Sequence, residues 1–523
     1  MHMNIDKKVA IIMTIILVSA VKFACAAMYY VDYSGGNDYN QGNSISKAWK
    51  HCPGDNNAVG NAASVNLAGG DIVYFKGGVI YKGAIYLNWS GSDNTNRIIY
   101  DGNSDGSWGI GRSVISDNKL LYYMYANGSR NYITIRGFEF TGNAVRNSSQ
   151  CNLYPSEFAI MIGNYSIPSN GIVIDNNYIH DMNYWFNDCA EPCNQVPFGN
   201  GIYIYYGNYA VISNNHISKV GASGISADRL NNSIIIGNKI NDYITWGIDV
   251  SGYYGGSSNN IISGNTIYDL YHHDAGFRTG TCDPHTDFVF IRESTGTRPS
   301  NNIVEKNLFY NNYSFTDSAG TAQLYLSSCD NTEVRNNVFI NPHSYYAVHI
   351  NGYDVKVYNN TFYVPRVTPI FLNTIGSNSR IINNITLGNN EYLALYNDNA
   401  LSSLGEVNFN LFLNNSRIAS KAGPPYASWD LPQWQAIGFD INSVTTGSDA
   451  DVNFVSTIGY PTSCEIMDLR LRWGSPAIGV GSDLSSSGFH NDFLGNQRNG
   501  PWDMGAYQFM RLAPKSPKKV DIK

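Results

Sequence analysis

The middle of the chain repeats itself with a period of roughly 20 to 28 residues, and this repeat limits the possible folds most strongly. Each unit has two short alternating stretches of β-branched residues, which predict strands. Gly and Asn lie between them and tolerate the left-handed backbone of tight bends. Such units cannot bury an apolar face alone, so they stack into a solenoid. The clearest units are residues 199–220, 222–243, 245–270, 321–342 and 346–365. With no helical segment between them, they predict an all-β parallel β-helix.

An asparagine recurs at one position of the repeat, three residues after an Ile or Val. Stacked turns place equivalent residues above one another, about 4.8 Å apart. The pattern therefore predicts a ladder of side-chain amides. Its members include Asn215, Asn265, Asn307, Asn337 and Asn360.

The composition excludes several classes of protein. Charged residues make up 14% of the chain and the net charge is −7, whereas an average soluble protein has about 25% charged residues. A nucleic-acid binder would carry a basic surface, so no nucleic-acid partner is expected. A hydrophobic content of 43% argues against disorder.

The first residues have the pattern of an export signal. Lys7 and Lys8 precede a short apolar run over residues 9–21, and Ala24, Cys25 and Ala26 form a small-residue cleavage site. The run is short for a membrane span. We therefore predict a signal peptide over 1–26 and a secreted, monomeric protein without a membrane segment after cleavage. An uncleaved anchor is the alternative.

Seven cysteines remain after removal of the predicted signal peptide, and this odd number leaves at least one thiol without an intrachain partner. Export permits disulfides. Cys189 and Cys193 have the spacing of half a zinc site, but no second such pair exists, so we predict disulfides between loops. The seven are Cys52, Cys151, Cys189, Cys193, Cys282, Cys329 and Cys464.

Two segments outside the repeat carry a family resemblance. Like the repeats, residues 69–83 (GGDIVYFKGGVIYKG) resemble the right-handed parallel β-helix superfamily of pectate lyases and related carbohydrate-active proteins, here its first coil. The ending over 475–509 is similar to the closing segment of many bacterial secreted β-helix proteins. The resemblance covers most of 28–510 and implies a secreted carbohydrate-active protein. It does not specify a reaction, because several chemistries share this fold.

The resemblance and the repeat together divide the chain. A parallel β-helix with its N-terminal cap is predicted over 27–425, a C-terminal capping segment over 426–510 and a disordered tail over 511–523. A short helix is expected at 431–437, after the repeat has ended.

Aligning the coils against one another predicts which residues share an outer face. The inward positions are taken as Ile202, Ile225, Ile248, Phe288, Leu324 and Val348. Strand alternation then turns their neighbours outward. On this register Asp249, Asp287, Tyr325 and His349 occupy four consecutive coils. Three glycines beside them are expected to leave a low floor for a sugar chain.

An insertion over 271–288 interrupts the repeat beside this face and is rich in His, Asp and Arg. Ionisable side chains on a loop above a strand face favour a functional site. The alternative is a surface loop tied by Cys282. Asp283, Pro284 and His285 are similar to the Asp-Pro-His segment of mannuronan C5-epimerases, which implies that Asp283 and His285 are catalytic. The preceding residues depart from that family.

Cleavage of a uronate polysaccharide by β-elimination is the leading functional hypothesis. Both lyases and epimerases first remove the proton on C5, which requires a base and a neutralised substrate carboxylate. His285 is the candidate base, and Arg278 or Arg292 is expected to neutralise the carboxylate.

The remaining roles of the lyase hypothesis fall to residues near that face. Tyr325 or Tyr203 is expected to act as the acid. Gln323, His349 and His273 are candidate substrate contacts, with Tyr203. The carboxylates of Asp249, Asp283 and Asp287 are candidate ligands for Ca²⁺, which prefers oxygen.

Two alternatives stay open. Glycoside hydrolysis needs two carboxylates about 5 to 9 Å apart, and Asp249 with Asp287 is the expected pair, with Asp228 or Asp283 as a candidate third carboxylate. A non-catalytic surface protein that binds glycan without cutting it is the other. The polysaccharide is the expected partner in each case.

Overall fold

The computed structural model describes residues 26–117, 121–142, 157–182, 199–270, 286–312, 320–342, 345–374, 378–388 and 391–510. In these residues the chain winds into a parallel β-helix with three long sheets of 13 strands each. One coil runs through Val211–Ser213, His216–Val220 and Ser223–Asp228, and the next begins at Ile234–Ile236. The predicted fold class is confirmed.

Sheet 1 takes the first strand of each coil. Its strands are Met28–Val31, Ile72–Phe75, Ile98–Asp101, Ile133–Arg136, Val173–Asp175, Val211–Ser213, Ile234–Ile236, Ile261–Ser263, Ile303–Glu305, Glu333–Arg335, Lys356–Tyr358, Ser379–Ile382 and Leu404–Asn408.

Sheet 2 takes the second strand of each coil. Its strands are Ile80–Tyr81, Ser113–Ile115, Phe138–Thr141, Tyr178–Met182, His216–Val220, Lys239–Tyr243, Thr266–Tyr268, Leu308–Tyr310, Val338–Ile340, Thr361–Val364, Ile385–Gly388, Leu411–Leu413 and Val444–Thr446.

Sheet 3 takes the third strand and ends in one antiparallel pair, formed by its last two members. Its strands are Ile85–Tyr86, Tyr122–Ala126, Glu157–Ile162, Gly199–Ile204, Ser223–Asp228, Trp246–Ser251, Thr286–Arg292, Gly320–Ser327, Tyr346–Asn351, Thr368–Thr374, Leu393–Leu395, Ala419–Lys421 and Ala427–Trp429.

Short elements complete the described part of the chain. Its α-helices are Gly60–Ser64, Asp398–Ser402 and Leu431–Ala436, the last confirming the helix expected there, and its 3-10 turns are Ile45–Lys47, Asp449–Val452, Cys464–Ile466 and Ser485–Ser487. Three short strands pair beside the main sheets, at Ser169–Asn170, Gly207–Asn208 and Leu230–Asn231. Phe454–Ser456 and Asp468–Leu471 form an antiparallel ribbon.

The predicted asparagine ladder is confirmed. Each amide nitrogen donates to the side-chain oxygen of the next coil, at 3.0 to 3.1 Å. The second amide hydrogen goes to a main-chain carbonyl, as from Asn265 to Ile235 at 3.0 Å. Because buried amides must find partners, the ladder fixes the register of the turn between sheets 1 and 2. Its members are Asn177, Asn215, Asn238, Asn265, Asn307, Asn337, Asn360, Asn384 and Asn410.

The segment after the last coil packs against the side of the β-helix as well as its end. Trp434, from the helix Leu431–Ala436, joins the central core. Further on, Val452, Phe454 and Met504 cover apolar residues on the outer face of sheet 2. These sheet residues are Tyr310, Val338, Ile340, Tyr363, Ile385 and Leu387.

Three cysteines fall in the described residues, and Cys52, Cys329 and Cys464 are buried thiols without a disulfide there. Cys151, Cys189, Cys193 and Cys282 lie outside the described residues, so the predicted loop disulfides stay a prediction. The predicted signal peptide and tail also fall outside them, apart from Ala26. Among the described residues, the helices lack the length and apolar character that a membrane span requires.

Candidate active site

The outer face of sheet 3 carries a continuous column of aligned side chains. Parallel pairing stacks them one per coil, about 4.8 Å apart. From the N-terminal end the column reads Tyr86, Tyr125, Met161, Tyr203, Ser226, Asp249, Phe290, Tyr325, His349 and Phe371. The candidate site occupies its middle.

The predicted register is right on both sides of the 271–288 insertion and wrong at its end. Ile248 pairs with Val289, not with Phe288, and Asp249 therefore faces Phe290. Asp287 instead aligns with Trp246 and Ala322. Phe288 and Val289 are both buried in the core, so the apolar pattern of the strand permitted either alignment.

The glycines and the glutamine expected one position before the inward column do not reach the outer face. A Cβ on Gly224 would meet Ile240 of the core at 2.6 Å, and a Cβ on Gly201 or Gly247 would meet core isoleucines at 2.9 and 2.7 Å. These glycines therefore make room for core side chains and do not form a floor for substrate. Gln323 is likewise fully buried and donates to the Ile340 carbonyl at 2.9 Å, so it is not exposed on the face where the substrate contact was predicted.

Asp249 and Arg292 form the charged centre of the site. The Arg292 Nε donates to Asp249 Oδ1 at 2.9 Å, and a terminal nitrogen donates to Oδ2 at 3.1 Å. Ser226, one coil earlier, donates to Oδ2 at 3.3 Å. Burial lowers the pKa of Arg292, but the Asp249 carboxylate outweighs this and the net pKa is raised. The arrangement holds Asp249 as a buried, ion-paired carboxylate.

Asp228 is the second carboxylate of the site. It aligns with Ser251, two positions along the strand from Asp249 on the next coil. This offset separates the two Cα atoms by about 8 Å. The Tyr203 hydroxyl donates to Asp228 Oδ2 at 2.6 Å. Burial, reinforced by nearby Asp249, raises the pKa of Asp228, although the Tyr203 hydrogen bond and Arg292 act in the lowering direction.

Aromatic side chains continue the column beyond Asp249. Phe290 stacks on Tyr325 at 5.1 Å between ring centroids, and Tyr325 stacks on His349 at 4.2 Å. Arg292 lies over the Trp246 ring at 5.1 Å. The predicted site residues Tyr325 and His349 are thus brought into one stack on the outer face, next to the charged centre. Burial raises the pKa of the Tyr325 phenol.

The Asp287 carboxylate has a different environment from Asp249. It is fully buried, and its Oδ1 accepts the Ala322 N–H at 3.0 Å. Asp287 aligns three positions before the residue opposite Asp249, which separates their Cα atoms by about 11 Å. The expected Asp249–Asp287 hydrolytic pair is therefore not formed as the predicted register placed it.

A Ca²⁺ ion shared by these aspartates does not fit the residues that are described. Both Asp249 oxygens already accept from Arg292, whereas Ca²⁺ requires six to eight oxygen ligands. Among the described residues no group of three His, Cys, Asp or Glu side chains could hold a metal. Asp283 lies outside them, and a site built on that loop stays a prediction.

The insertion carries the other predicted site residues. His273, Arg278, Asp283 and His285 lie outside the described residues. Thr286, the first described residue after them, begins a strand of sheet 3.

The partnership of Asp228 with Asp249 is the main feature missing from the sequence prediction, which considered Asp228 only as a third carboxylate. The sequence did contain a signal for this pair. Asp228 and Asp249 lie in adjacent units without an insertion between them, and strand alternation turns both side chains to the same face of the sheet.

Known proteins share the fold of this chain at low sequence identity. No family model and no curated protein sequence matches it. A structure of XylC in complex with xylose is similar with a TM-score of 0.52 and 12% identity, covering 92% of this chain and 98% of that one.

Two further structures have lower scores. Pectate lyase Pel9A has a TM-score of 0.43 and 15% identity, covering 93% of this chain and 97% of its own. The A-module of a mannuronan C-5 epimerase from Azotobacter vinelandii has 0.45 and 13%, covering 74% and 91%. The comparison confirms the parallel β-helix fold, and this fold does not specify a reaction.

Proposed function

We propose that this chain is a secreted carbohydrate-active enzyme that hydrolyses a glycosidic bond of a polysaccharide bound along the outer face of sheet 3. Asp228 acts as the general acid and Asp249 as its partner carboxylate. One observation carries this proposal: the two carboxylates lie diagonally on adjacent coils and have different partners. Asp228 accepts a hydrogen bond from the Tyr203 hydroxyl, and Asp249 is ion-paired with Arg292.

The separation suits hydrolysis. Two carboxyl groups about 5 to 9.5 Å apart flank the scissile bond in most glycoside hydrolases. The Cα atoms of Asp228 and Asp249 are about 8 Å apart and both residues lie on the outer face of sheet 3, which is compatible with carboxyl groups in this range.

The environments assign the roles. The raised pKa of Asp228 favours the protonated form that a general acid needs to donate to the leaving oxygen. Asp249 is held by Arg292 in an ion pair at 2.9 Å, so it is suited to activate water or to stabilise positive charge on the sugar ring. Arg292 also lowers the cost of burying that charge.

Uronate elimination is the second candidate, favoured by Arg292, whose side chain is 28% exposed beside the column. Two observations weigh against it. Both hydrogen bonds from the guanidinium go to Asp249, and burial with nearby Asp228 raises the pKa of the Tyr203 phenol. A phenol with a raised pKa is a weaker acid, and its conjugate base forms less readily. The predicted base, His285, lies outside the described residues.

The test is a digestion of xylan, polygalacturonate and alginate by the protein and by Asp228→Asn and Asp249→Asn. We expect new reducing ends without the ultraviolet absorbance of unsaturated uronates, and a loss of about 100-fold or more in each variant. Asp105→Asn, at an exposed carboxylate on another coil, is the matched control.

Other outcomes distinguish the alternatives. If the Asp228→Asn variant still forms unsaturated products, the reaction is elimination and not hydrolysis. Full activity in both site variants would place the chemistry elsewhere in the chain.

A further inference from the structure

A cluster of three tyrosines lies on the outer face of sheet 3 at the N-terminal end of the column. Tyr122 and Tyr125 are 4.2 Å apart between ring centroids, and Tyr86 lies 6.1 to 6.3 Å from both. All three side chains are half-buried. We call these three residues the tyrosine platform.

The platform is continuous with the candidate active site. Tyr122 aligns with Phe158 on the next coil, and the Phe158 ring contacts the Tyr203 ring at 5.6 Å. Tyr203 in turn donates to Asp228. A row of aromatic residues on successive coils therefore leads from the platform to the proposed acid along the helix axis.

The distance from the platform to the charged centre sets the minimum length of a ligand that can contact both at once. Tyr125 and Asp249 are four coils apart in the column, which corresponds to about 19 Å. A monosaccharide cannot span this distance, whereas a glycan chain lying along the axis can.

The chemistry of the platform suits a sugar chain. Tyrosine combines a large apolar ring with a hydroxyl at its edge. A pyranose likewise has an apolar face and a rim of hydroxyls, so stacked faces and edge hydrogen bonds are satisfied together.

We infer that the tyrosine platform is a distal glycan-binding surface that makes this chain bind polysaccharide chains in preference to short oligosaccharides. The inference rests on the proposed function for the position of the cleaved bond. Binding at the platform is measured separately from cleavage.

Affinity electrophoresis tests it, with native gels that contain xylan, polygalacturonate or alginate. The protein used is the full chain with Asp228→Asn, which prevents cleavage during the run. We expect retardation in at least one gel. A double substitution, Tyr122→Ala with Tyr125→Ala, is expected to weaken binding about tenfold or more, while Tyr122→Phe retains the ring and most of the affinity.

Matched controls separate binding from folding. Tyr426→Ala removes a tyrosine that is 78% exposed outside the column and should leave retardation unchanged. If the double variant has a lowered unfolding midpoint, Tyr86→Ala, in the two-residue strand Ile85–Tyr86, replaces it.

Each result bears on the inference. Retardation that depends on the platform tyrosines supports it, even if the unsubstituted protein cleaves nothing, in which case only the proposed hydrolysis fails. Retardation unaffected by the platform variants, or absent from all three gels, would overturn it.

Discussion

At the residue scale, each of the two carboxylates in the site has its own partner, a hydroxyl for one and a guanidinium for the other. Tyr203 contacts Asp228 and Arg292 contacts Asp249. Neither partner follows from the composition of its own strand, because each pair is made between coils. The two resulting predictions concern proton affinity and charge burial.

Removal of the Tyr203 hydroxyl should shift the pH dependence of activity. Its hydrogen bond acts to lower the pKa of Asp228, so Tyr203→Phe should raise that pKa further. A general acid works in its protonated form and loses activity as pH rises through its pKa. The alkaline limb of kcat/KM should therefore move to higher pH. Tyr205→Phe is the control, and a shift toward lower pH would contradict the assignment of Asp228 as acid.

Arg292→Ala should destabilise the fold as well as abolish activity. Asp249 is 2% exposed, and the substitution leaves its charge buried without the bidentate partner. We expect a loss of about 2 kcal/mol in the free energy of unfolding, measured by urea titration near neutral pH. An unchanged stability would show that solvent reaches Asp249 freely.

At the element scale, asparagines rather than ion pairs define the stacking of the turns. In the described coils, the ladder ends at Asp440, which accepts from Asn410 at 3.1 Å and from the Trp434 indole at 2.9 Å. Tyr392 and Ser443 also donate to this fully buried carboxylate. Burial raises the pKa of Asp440. The four donors provide the hydrogen bonds that a next coil would otherwise supply.

Asn265→Ala should therefore cost more than a surface asparagine substitution. It breaks four hydrogen bonds and leaves polar groups of Asn238 and Asn307 buried without them. The expected loss is about 3 kcal/mol in the free energy of unfolding. Asn399→Ala, at an exposed helical position, should change stability by less than about 0.5 kcal/mol. If the two substitutions changed the free energy of unfolding equally, the ladder would not have the structural role inferred for it.

At the scale of the whole molecule, the segment after the last coil protects the outer face of sheet 2. A second row of turn asparagines holds it, since Asn359 donates to the Asp503 carbonyl at 3.0 Å and Asn383 to the Ser482 carbonyl at 2.7 Å. Arg498 donates to Asn336 Oδ1 at 2.8 Å and is 4% exposed. Burial lowers the pKa of Arg498 to about 10.

Truncation after Gly447 should expose this face while retaining every strand of the three sheets. Because large exposed apolar patches promote association, we expect the truncated chain to aggregate and to bind a hydrophobic dye. Removal of 511–523 alone is the control and should change neither property. A monomeric, dye-free truncated chain would contradict the protective role of the segment.

The sequence by itself determined the fold class and the asparagine ladder. Both follow from a repeat whose identical units must occupy equivalent positions, so local pattern and tertiary contact coincide. The outward positions of Tyr203, Asp249, Tyr325 and His349 were predictable for the same reason.

Only the tertiary structure decided the register after the insertion and the partners within the site. Phe288 and Val289 are both apolar, so the sequence did not distinguish two registers that differ by one residue. In the observed register Asp287 lies in a different column from Asp249. The pairs Tyr203–Asp228 and Arg292–Asp249 join residues 25 and 43 positions apart. Such contacts arise from the stacking of coils, because the strands that carry them become neighbours only when the solenoid closes.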